Sequence, residues 1–101
     1  MIVVRDIFRV KFGQAKEATA LWKQAIQLLT QLGFGVRGAR LLTDLAGPSY
    51  YTFVLETSYD SLAQWEQAHV NARGNADWRK LYQQIMPLTE EGRREILTVI
   101  E

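Results

Sequence analysis

The sequence predicts an α+β fold of the ferredoxin-like kind, βαββαβ, with a four-stranded antiparallel sheet. Three observations predict it. β-branched and aromatic segments of period two stand at both ends of the chain and flank a turn cluster in the middle. Two helical stretches with apolar residues at 3.6-residue spacing lie between them. The length, 101 residues at 48% hydrophobic and 23% charged, suits one soluble globular domain spanning residues 1–101.

The elements follow in order. Residues 2–12 (IVVRDIFRVKF) read as a strand. Alternation puts Ile2, Val4, Asp6, Phe8 and Val10 on one face and Val3, Arg5, Ile7, Arg9 and Lys11 on the other. Residues 14–32 change period. Ala18, Leu21, Trp22, Ala25, Leu28, Leu29 and Leu32 form one stripe, and Gly33 stands just past the helix end. Residues 35–45 and 50–58 read as two strands joined at the turn cluster Ala46-Gly47-Pro48-Ser49. Ser61 with Gln64 resembles a capping box, and Leu62, Trp65, His69 and Ala72 share a helical face behind it. Asn75 reads as a second N-cap with Asp77 in the first turn, followed by the stripe Trp78, Leu81, Tyr82, Ile85 and Met86. Pro87 ends that helix, Glu90-Glu91 and Arg93-Arg94 read as a solvated turn, and residues 94–100 form the last strand.

Composition excludes several classes. Twelve Lys and Arg offset eleven Asp and Glu, so a nucleic-acid partner held by charge is not expected. The third strand, Ser49 to Glu56, matches the RNA-recognition signature only at Tyr51, Phe53 and Val54. There is no cysteine and one histidine, which leaves no disulfide framework, no thiolate nucleophile and no structural zinc set, so no metal site is expected. No phosphate loop, HExxH or GxSxG motif occurs. Charge arrives at Arg5 and Asp6, too early for a signal peptide, and no apolar run approaches the roughly 20 residues of a membrane span. The expectation is a cytoplasmic protein with no membrane partner.

Helices cover only one face of such a sheet, and both faces read as largely apolar in three of the four strands. A four-stranded face projects roughly 400 Å² over six residues. A homodimer packed through its sheet faces is therefore expected.

Three local features carry a family resemblance across the whole chain. The opening strand closes on Lys11-Phe12-Gly13 and runs into a long helix. The third strand passes into Tyr59-Asp60-Ser61-Leu62 with Trp65 behind it. Asn75-Ala76-Asp77-Trp78 starts a helix that runs through Met86-Pro87 to a last strand. In order and spacing these resemble the dimeric α+β barrel superfamily, and within it NIPSNAP-type proteins. The resemblance implies a cleft between helices and sheet and no cofactor, because related antibiotic-biosynthesis-type monooxygenases work without flavin or a dedicated metal site. Heme-degrading relatives use an Asn, a Trp and a His. The matching positions here hold Asp6, Trp65 and either Asn75 or Asp77, a departure at two of three.

Two functions are open at this stage. One is a homodimeric binding protein with an apolar cleft for a small aromatic ligand. The other is a cofactor-independent monooxygenase acting on such a ligand, with Asp6 and His69 as acid/base or orienting groups in one cavity. Trp65, Tyr51, Phe8 and Arg40 are the candidate ligand-binding residues. Asp6 sits mid-strand between Val4 and Phe8, where a carboxylate is costly unless paired, and Arg40 or Arg37 is the expected partner.

Overall fold

The computed structural model describes all 101 residues, Met1–Glu101. Strand β1 spans Ile2–Val10, helix α1 Ala15–Gln31, β2 Ala39–Thr43 and β3 Thr52–Tyr59. Helices α2 (Leu62–Arg73) and α3 (Ala76–Ile85) follow, then a single 3-10 turn over Met86–Leu88 and β4 (Thr89–Thr98). The sheet is antiparallel throughout in the order β2-β3-β1-β4. This is the ferredoxin-like arrangement that the order of elements predicts.

The register decides which side chains meet. Asp6 stands opposite Leu55 on β3 and Arg94 on β4, and Phe8 opposite Phe53 and Gly92. Residues so paired share a face. The helix-covered face therefore carries Val4, Asp6, Phe8 and Val10 with Phe53, Leu55, Thr57 and Tyr59. α1 lays Ala18, Trp22, Ala25 and Leu29 on this face, and α2 and α3 add Ala68, Ala72 and Ile85 to one buried cluster. Tyr59 is fully buried, and burial raises its pKa above 10.0. Its hydroxyl bonds that of Thr57 at 3.0 Å.

Two helix starts are fixed by side chains. Asn75 Oδ1 accepts from the Trp78 amide at 2.8 Å and opens α3. Ser61 Oγ accepts from the Gln64 amide at 3.4 Å, while Gln64 Oε1 accepts from the Asp60 amide at 2.8 Å. That return bond reaches one residue further back than a capping box requires.

The structure corrects the sequence reading in four places. β2 is shorter than residues 35–45, because residues 33–37 form turns closed at Gly35 (φ +64). A Cβ at Gly35 would stand 2.7 Å from the Gly38 carbonyl oxygen, so only glycine fits there. β4 begins at Thr89, so Glu90, Glu91, Arg93 and Arg94 are strand residues and not a turn. Tyr51 precedes β3 in a left-handed conformation (φ 58), so the strand starts at Thr52 and not at Tyr50. The uncovered face is not largely apolar. It alternates apolar Val3, Ile7, Leu42, Val54 and Leu97 with charged rows. In those rows Glu56 takes Arg5 and Arg40 at 3.1 and 3.0 Å, and Arg9 meets Glu90 at 3.2 Å.

No helix is long and apolar enough to cross a membrane.

Candidate functional site

Between the sheet and the three helices lies a cleft of about 310 Å³. Its sheet side is Asp6, Phe8, Leu55 and Arg94; its helix side includes Trp22 from α1, His69 and Arg73 from α2, and Trp78 and Tyr82 from α3. The Phe8 ring stacks on the Trp22 indole with centroids 5.2 Å apart, so one wall is a flat aromatic surface. A shallower hollow of about 440 Å³ along β4 shares Asp6, Phe8, Tyr82, Met86 and Arg94 with the cleft.

The polar groups form a chain across it. Arg94 Nε donates to Asp6 Oδ1 at 2.5 Å. The Arg94 guanidinium lies 5.2 Å from the centre of the Trp65 ring. Trp65 meets His69 edge-on at 4.5 Å, and Phe34 meets the imidazole from another side at 5.2 Å. The imidazole is thus held between two rings. Burial lowers its pKa from 6.5, the Arg94 charge lowers it further, Asp6 opposes the shift and Arg73 adds to it. At neutral pH His69 is an uncharged base.

Two buried polar atoms at this cleft have no hydrogen-bond partner, Trp22 Nε1 and His69 Nε2. Trp22 is only 3% exposed, and an indole N–H is an obligate donor. Both atoms are sealed from solvent, behind the surface of the cleft and not on it. No three His, Cys, Asp or Glu side chains come together as a metal set.

Residues 5–101 match the NIPSNAP family. The chain belongs to the NIPSNAP family. Solved structures share the fold. A NIPSNAP domain protein from Burkholderia xenovorans superposes with a TM-score of 0.84 at 19% identity, covering 99% of this chain and 95% of that one. A NIPSNAP family protein from Agrobacterium tumefaciens gives 0.85 at 18% identity, covering 99% and 93%. SnoaB, a cofactor-independent oxygenase from Streptomyces nogalater, gives 0.74 at 12% identity, covering 99% and 93%. At these identities the likeness is one of fold. No curated protein matches the chain.

In this NIPSNAP protein the sequence candidates divide. Asp6, His69 and Phe8 line the one cleft, and Trp65 buttresses it through His69 and Arg94. Tyr51 and Arg40 stand apart from it. The Tyr51 ring packs against Phe12 at 5.5 Å near the hairpin, and Arg40 pairs with Glu56 on the uncovered face. Asp6 is paired by Arg94, not by Arg40 or Arg37, because β4 lies directly beside β1 while Arg37 reaches Asp60 instead. Sequence reasoning missed Arg94 and Arg73 as cleft residues and placed Trp22 in the apolar stripe of α1. Arg73 was within reach, since it follows His69 by four on one helix.

Proposed function

We propose that this NIPSNAP protein binds a small, flat, largely aromatic molecule in the cleft between helices and sheet. The observation that carries the reading is the cleft itself, lined mainly by apolar side chains including the stacked Phe8–Trp22 pair, with Asp6, His69, Arg73 and Arg94 as its polar groups. Size supports it. A cavity of about 150 Å³ takes benzene, so about twice that volume suits two fused rings. The test is calorimetric titration with 1-naphthol, which has two rings and one hydroxyl. Micromolar binding is expected, with loss of at least tenfold in Ala72→Phe, which grows a ring into the cleft from α2. Binding that Ala72→Phe leaves unchanged contradicts the reading.

A second reading is cofactor-independent oxygenation of the bound molecule. The fold likeness to SnoaB and the uncharged His69 imidazole favour it, since an uncharged base beside a phenol can take its proton. Oxygen uptake with 1-naphthol that His69→Gln abolishes supports this reading, and binding without uptake leaves the protein a binder.

The protein is further proposed to act as a homodimer joined through the uncovered sheet faces. Val3, Ile7, Leu42, Val54 and Leu97 on that face have no covering element. The Arg and Glu residues of the rows between them offer both charges to an identical partner.

A further inference from the structure

We propose that the molecule the cleft takes is an aromatic monoanion, a two-ring carboxylate, with Arg73 as its counter-ion; this rests on the binding reading above. The argument is one of charge and hydrogen-bonding count. The ionisable groups facing the cleft are Asp6, His69, Arg73, Tyr82 and Arg94. At neutral pH the imidazole is uncharged, and Asp6 and Arg94 neutralise each other in a direct ion pair. Arg73, in the last turn of α2, has no carboxylate within ion-pair distance. The rim of the cleft therefore carries one exposed guanidinium with no carboxylate partner.

The hydrogen-bonding count points the same way. The guanidinium groups of Arg73 and Arg94 can only donate. The one carboxylate of the cleft already takes Arg94, so none is left for Arg73. A carboxylate supplies two acceptor oxygens and the missing negative charge together. Its ring system lies on the Phe8–Trp22 wall. A neutral aromatic fills the same volume but leaves Arg73 uncompensated and supplies fewer acceptors.

The test compares 2-naphthoate with 2-naphthamide, which has the same shape and no charge, by calorimetry on the full chain at pH 7.5. The expected result is about tenfold or greater preference for 2-naphthoate, the effect of one charge-assisted hydrogen bond. In Arg73→Gln that preference disappears while 2-naphthamide binds as before, which a general loss of structure would not produce. Equal affinity of the two compounds in the unmodified protein, or a preference that survives Arg73→Gln, overturns the assignment and leaves the binding reading standing on 1-naphthol. If none of the three compounds binds, both fall.

Discussion

Burial disfavours the charged form of His69, and protonation would also place a further cation beside Arg94 and Arg73, with only Asp6 to oppose it. Its titration midpoint in the folded protein therefore lies below 6.5, observed through the imidazole C–H resonances. Arg94→Gln moves the midpoint up by removing a cation, and Asp6→Asn moves it down by removing the opposing charge. The linked stability has a definite sign. The unfolded chain holds the proton more tightly, so the contribution of neutral His69 is intact above about pH 6.5 and is lost as pH falls through the folded midpoint. His69→Gln removes that part of the pH dependence. At this scale the sequence was informative about single residues and poor about pairs. Asp6 stood out as a carboxylate among apolar neighbours, and His69 shared a helical face with Trp65. The partner of Asp6 depends on which strand lies beside β1 and in what register, and 88 residues of chain separate it from Arg94.

Strand β4 holds the other half of the cleft floor and was the element hardest to read. Its first half, Thr89-Glu90-Glu91-Gly92-Arg93-Arg94, carries charges because it is an edge strand, and charged edges resist pairing with other sheets. That same patterning makes it look like a turn. The helices were legible because each lays a 3.6-residue stripe on the sheet, and Asn75 marked the α3 start on which Trp78 depends. Gly92 is where β4 shapes the cleft. A Cβ there would lie 2.8 Å from the Phe8 ring, which is itself stacked on Trp22. Gly92→Ala must displace the ring, and is expected to lower stability by about 1–3 kcal/mol in denaturant unfolding. It should also weaken 1-naphthol binding, since the stacking wall moves with the ring.

The whole molecule is a half-covered sheet. Helices close one face over the cleft, and the other displays apolar residues between Arg–Glu rows. The expectation of an unsheltered face came from counting layers and was legible. Arg5 and Arg9 on that face were legible from alternation; the rows they join were not, because strand register had to place Glu56 between Arg5 and Arg40. Light scattering is expected to give twice the 11.6 kDa chain mass at micromolar concentration. Ile7→Asp, in the middle of the uncovered face, is expected to give the monomer with its helical content intact. A wild-type monomer contradicts assembly through this face.

The central claim, that the cleft between helices and sheet is a ligand site, is tested most directly by the indole N–H resonances. The chain has three tryptophans, and Trp22 lines the cleft with its indole stacked on Phe8. On titration with 1-naphthol the Trp22 indole signal is predicted to shift with saturation, and Ala72→Phe to abolish the shift. A Trp22 signal that stays fixed while 1-naphthol binds, or while only surface resonances near Phe12 and Tyr50 move, would contradict the account.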